Sequence, residues 1–180
     1  MTGRHRWIAL LRGINVGRAK RVAMADLRAL IEALGFTEVR TLLNSGNVAF
    51  TGARASSPAL TRRIEKELVA RLGVESRVTV LDADGLAEVT ADNPFRDEGV
   101  VASRLLVAFF REPDAAAARL APLLKEDWSP DAFAVGRRAA YLWCAGGILE
   151  SRLPEALGRA LGDTVTTRNW ATVTKLAALP

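Results

Sequence analysis

The chain has 180 residues, of which 49% are apolar and 25% charged, enough to bury a core without disulfide or metal staples. One cysteine, Cys144, and one histidine, His5, exclude an internal disulfide and argue against a Cys/His zinc site, a Cys/His dyad and a Ser/His/Asp triad. The formal net charge is +5 and all of it lies in the first half: residues 1–90 carry 14 Lys and Arg against 9 Asp and Glu, whereas residues 91–180 carry 11 of each.

Residues 6–14 read as a strand, followed by a loop rich in glycine and basic side chains. A helix starts near Met24, with Met24, Leu27, Leu30, Ile31 and Leu34 on one face, and Gly35 stops it. Residues 38–43 and 48–51 read as strands around the turn Asn44-Ser45-Gly46-Asn47. Ser56-Ser57-Pro58 opens a second helix with Leu60, Ile64, Leu68 and Leu72 in line, Gly73 closes it, and residues 77–81 form a fourth strand. A short helix over 82–91 is broken by Asn93-Pro94-Phe95.

The same order then recurs. Residues 104–111 read as a strand, and Glu112-Pro113-Asp114 begins a helix bearing Leu120, Leu123 and Leu124. Two strands, 132–135 and 139–144, flank a Gly136-Arg137-Arg138 turn. A helix over 151–161, a short strand over 163–167 and a terminal helix over 168–179, capped by Thr166 or Thr167, complete the chain. The expectation is an α+β protein of two tandem ferredoxin-like βαββαβ halves, with helices packed on antiparallel sheets, plus a C-terminal helix. The halves span 1–82 and 104–180, joined by a connector over 83–103. They share element order and no sequence identity.

Three segments are distinctive: Arg12-Gly13-Ile14-Asn15-Val16-Gly17, Asn44-Ser45-Gly46-Asn47-Val48, and Thr166-Thr167-Arg168-Asn169-Trp170 followed by Lys175-Leu176. Met24-Ala25-Asp26-Leu27-Arg28, Asn93-Pro94-Phe95 and Ser151-Arg152-Leu153 accompany them. On these motifs, in this order, the chain resembles the domain-of-unknown-function family 1697, a bacterial group, from about Arg6 to Leu179. The resemblance implies two α+β ferredoxin-like halves and implies no activity. After Gly17 the family pattern typically runs Gly-Lys-Asn-Lys-Val-Pro. Here Arg18-Ala19-Lys20-Arg21-Val22-Ala23 keeps the charge but loses a flexible glycine and the helix-opening proline.

The residues themselves point to an anion site. Gly13 and Gly17 allow unusual backbone turns, Arg12, Arg18, Lys20 and Arg21 supply charge, and the nearby helix start supplies unpaired N–H groups. The loop is not a Walker loop, because the Gly-Lys-Ser/Thr ending is absent. In a ferredoxin-like unit the first two strands run the same way, so the Arg12–Arg21 loop and the Asn44–Asn47 hairpin emerge on one sheet edge. Arg12, Gly13, Asn15, Gly17, Asn44, Ser45, Gly46 and Asn47 are therefore expected around one anion-binding recess. Arg168 and Asn169, at the start of the terminal helix, and Lys175 are further candidates. The plain alternative for each is structural: solvated arginines on an ordinary turn, a self-satisfied hairpin, and Trp170 holding a helix to a sheet while Arg168 pairs with a carboxylate such as Asp163.

Tyr141 and Trp143 alternate on one strand and are read as core, as is Cys144, and His5 is read as part of a frayed terminus. The carboxylates Asp82/Asp84, Asp97/Glu98 and Glu126/Asp127 lack metal-site spacing and are read as solvated. No catalytic side chain stands out, and neither a metal nor a cofactor is expected. The expected partner is nucleic acid or another polyanion. The alternatives are a small phosphorylated or carboxylated metabolite, bound or processed, or a protein partner with the motifs serving the fold alone. No signal segment or membrane span is visible, and the lone thiol suits the cytoplasm. Nothing in the pattern fixes an oligomeric state.

Overall fold

In the computed structural model, which describes residues 3–18, 20–96 and 100–180, strand β1 (His5–Leu11) lies inside the first sheet. Both faces of its apolar run are buried, so Trp7-Ile8-Ala9-Leu10-Leu11 shows no polar alternation. Helix α1 (Met24–Ala33), strands β2 (Thr37–Leu42) and β3 (Asn47–Gly52), helix α2 (Ser57–Leu72) and strand β4 (Val78–Asp82) follow. The strands pair antiparallel in the order β2-β3-β1-β4. Register sets Trp7 opposite Phe50, and Ala9 opposite Val48 on one side and Val80 on the other. That face meets Leu27, Leu30 and Ile31 of α1 and Leu60, Ile64 and Leu68 of α2 in one apolar cluster. Helix α2 begins where the Ser56 hydroxyl accepts the Ala59 N–H, and it ends at Gly73 in left-handed backbone.

Helix α3 (Ala83–Ala91) leads to the second sheet, formed by β5 (Leu105–Phe110), β6 (Ala132–Val135), β7 (Ala139–Trp143) and β8 (Val165–Asn169), with α4 (Pro113–Leu120), α5 (Leu153–Leu161) and α6 (Trp170–Ala177). The order is β6-β7-β5-β8, again antiparallel, so the first half's topology is repeated. Leu106, Ala108 and Phe110 pack with Ala140 and Leu142 against Leu120 of α4 and Leu153, Leu157 and Leu161 of α5. On the other face Leu105, Val107, Phe109 and Tyr141 are buried. The Tyr141 hydroxyl donates to the Val89 carbonyl at 2.7 Å, tying α3 to that face. The chain forms two compact units that divide within α3, one through Leu86 and the other from Ala87 to Ala178. Among the described residues, no helix is long and apolar enough to cross a membrane.

Several local expectations are corrected. β1 ends at Leu11 rather than at residue 14, and His5 belongs to it, edge-on to Trp7 at 5.5 Å between ring centres. Leu123 and Leu124 lie in a separate single turn (Leu123–Lys125), because Pro122 has no N–H to continue α4. The last strand extends to Asn169, and the terminal helix starts at Trp170. The β-branched pair Thr166-Thr167 suits a strand, and Asn169 is the residue that caps the helix.

Candidate functional site

The site grows from the end of β1. The Leu11 N–H reaches the Gly46 carbonyl at 2.8 Å, and the Arg12 N–H reaches the Arg77 carbonyl at 2.9 Å. The Ser76 hydroxyl donates to the Arg12 carbonyl at 2.9 Å. Beyond Arg12 the chain turns on Asn15, whose φ is 56°. The Asn15 side chain holds the far end of the loop from both sides: Nδ2 donates to the Val22 carbonyl at 2.8 Å, and Oδ1 accepts the Val22 N–H at 2.9 Å. The same Nδ2 donates to the Asn44 carbonyl at 2.7 Å. One amide therefore closes the first loop and joins it to the hairpin.

The hairpin is set from within. Asn47 is fully buried, and its Nδ2 donates to the Leu42 carbonyl at 2.8 Å and to the Ser45 hydroxyl at 2.9 Å. Gly46 has φ of 80°, and a Cβ there would stand 2.7 Å from Leu11 Cβ and 2.8 Å from Ile14 Cδ1. Only glycine allows the hairpin to press this closely on the end of β1. The two loops expected on one sheet edge are bonded to each other.

Their side chains divide into two sets. The amides of Asn15 and Asn47 point inward and hold the backbone, Asn44 lends its carbonyl and Ser45 its hydroxyl. Gly13 and Gly17 are exposed, with φ of 64° and 63°. Arg12 is half-buried, whereas Arg18, Lys20 and Arg21 are exposed, and none of these last three forms an ion pair with a described residue. Among the described residues four non-glycine positions have positive φ, and three of them, Asn15, Lys20 and Leu43, lie in these loops. For a residue with a Cβ this backbone costs roughly 1–2 kcal/mol. Sequence patterning missed Lys20 and Leu43 because neither residue type signals left-handed backbone.

The C-terminal candidates lie in the other unit. Arg168 is not at a helix start; it stands in β8 opposite Val107 and is buried. Its guanidinium donates to Thr166 Oγ1 at 2.9 Å and to the Thr167 carbonyl at 2.8 Å, and burial pulls its pKa down to about 10. Asn169 Oδ1 accepts both the N–H and the hydroxyl of Thr172, which is its capping role. Lys175 is exposed in the last turn of α6, where a cation suits the helix dipole.

The second half's own turn is built differently. Arg137 and Arg138 both bind the Glu88 carboxylate, at 2.6 and 2.5 Å. Burial, with Asp92 and Glu88 nearby, pushes the Tyr141 phenol well above its ordinary value. Burial also raises the Cys144 thiol. Asp82 Oδ1 accepts the Gly85 N–H and Asp127 Oδ1 the Ser129 N–H, while Asp97 and Glu98 lie outside the described residues. Among the described residues no three His, Cys, Asp or Glu side chains come together as a metal site.

Fold and loops together define a class: α+β proteins made of two ferredoxin-like halves, in which the first half carries a long, glycine-bearing loop riveted to its hairpin. The chain matches the model of the family described as Protein of unknown function (DUF1697) over residues 4–141, and it belongs to that family. It is also similar in structure to the conserved bacterial protein SP0830 from Streptococcus pneumoniae. That likeness has 22% identity and a TM-score of 0.74, covering 97% of this chain and 98% of that one, and at such identity it speaks to the fold. No curated protein matches the chain.

Proposed function

We propose that this protein binds a polyanion, nucleic acid or another, at the edge of its first sheet. The observation that carries the reading is the Asn15 amide, which fixes two loops as one platform while Arg18, Lys20 and Arg21 stand exposed on it. Exposed cations on loops already joined to each other through Asn15 attract phosphates or carboxylates at a smaller ordering cost than free loops would. Arg12 and the exposed turns at Gly13 and Gly17 border the same edge, and the excess charge of the first half adds to the local field. Asn15, Asn44, Ser45, Gly46 and Asn47 serve the site by shaping it. The single cysteine is a buried free thiol, which fits the reducing cytoplasm as the place of action.

The test is binding of a fluorescent single-stranded RNA and of polyphosphate as salt is raised. Three phosphate contacts give a slope of log affinity on log salt of about −2 for a single strand. Replacing Arg18, Lys20 and Arg21 together by Ala should flatten that slope and leave the melting temperature within about 2 °C. A flat salt response in the parent protein overturns the reading, and so does failure of RNA, polyphosphate and polyglutamate alike to bind at low salt.

A further inference from the structure

The joined loop pair, whose first member carries the exposed Arg18, Lys20 and Arg21, also carries exposed aliphatic side chains. Val16 is 71% exposed and Leu43 53%. Val16 follows Asn15 and Leu43 precedes Asn44, so each stands one residue from the hydrogen bond that joins the loops. Leu43 holds left-handed backbone at φ 57° without the burial that usually accompanies a large apolar side chain. Glycine or asparagine would fit that backbone with less strain, so the leucine side chain has no evident use inside the fold.

Residues 12–22 and 42–47 contain no aromatic side chain. Single-stranded nucleic acid is gripped largely by stacking bases on aromatic faces, whereas exposed aliphatic side chains on a loop pair that also bears cations match a protein surface that is both apolar and acidic. We propose that this loop pair docks an acidic protein segment bearing an aliphatic side chain. Carboxylates of the segment face Arg18, Lys20 and Arg21, and its aliphatic group lies against Val16 and Leu43. This inference rests on the polyanion reading and names the chemistry of the partner.

The test uses the full chain and three probes: a glutamate-only peptide, a peptide with the same number of glutamates interspersed with leucines, and polyuridylate. The leucine-bearing peptide should bind about fourfold more tightly than the glutamate-only peptide, the gain expected from covering one methylene group's worth of apolar surface. The double variant Val16→Ser, Leu43→Asn should remove that difference, keep the affinity for the glutamate-only peptide, and melt at the same or a higher temperature. Equal binding of the two peptides overturns the inference, and so does a double variant that melts lower, since the pair would then be packing residues. Binding of polyuridylate with neither peptide bound overturns the inference and leaves the polyanion reading standing. Failure of all three probes at low salt removes both.

Discussion

The two halves of this chain follow one plan and finish it differently. In the first, twelve residues connect β1 to α1; in the second, two residues connect β5 to α4. The first half's hairpin is held by neutral amides, and beside it Arg18, Lys20 and Arg21 form no ion pair with a described residue. The second half's turn carries two arginines, and both are paired with the Glu88 carboxylate. Topology alone therefore does not make a charged edge. Loop length and the placement of carboxylates decide whether a sheet end offers its cations to other molecules or spends them internally.

The comparison breaks most sharply at its glycines. Gly46→Ala places a methyl group against Leu11 and Ile14 in left-handed backbone and should cost on the order of 3 kcal/mol or more in urea denaturation. Gly136→Ala, in the matching turn, meets Tyr141 Cε2 at 3.1 Å and should cost about 1 kcal/mol. Equal losses would show that the two turns are held alike. Next comes the rivet. Asn15→Ala removes three hydrogen bonds and leaves a residue in strained backbone, so a loss of about 2–4 kcal/mol is expected, of which Asn15→Gly should recover the strained portion.

A smaller effect than the rivet's belongs to the second half. Tyr141→Phe leaves the Val89 carbonyl without its donor and should cost about 1–2 kcal/mol. Tyr141 is the chain's one tyrosine, so alkaline absorbance reads it alone. Its folded pKa is raised above the unfolded value of 10.0, so the stabilisation it contributes is full below that value and lost as pH rises further. Tyrosinate should appear together with loss of circular dichroism; ionisation of a still-folded chain near pH 10 would show the phenol to be open to water.

How far the sequence could be read follows from what each feature depends on. The alternation and helical spacing of apolar residues report burial, which is why Leu27, Leu30 and Ile31, or Leu153, Leu157 and Leu161, place their helices correctly. The meeting of the two loops follows from strand direction and was legible too. Where a side chain points was not. Asn15 and Asn47 carry the donors an anion site uses, yet their amides turn inward, because a long loop has backbone groups of its own to satisfy. Thr166-Thr167-Arg168-Asn169 reads equally as a helix cap and as a strand end, and only pairing with β5 decides between them. Leu43 in left-handed backbone gives no warning in its residue type.

One feature reaches beyond the site. Because Ser76 binds the Arg12 carbonyl and the Arg12 N–H binds that of Arg77, the base of the long loop is stitched to the chain that leads into β4, some sixty residues later in the polypeptide. The loop cannot take its final form until the last strand of the first half has been added. During synthesis that edge would mature only after residue 78 has left the ribosome, which makes an intact first half, rather than its opening segment, the smallest fragment able to display it.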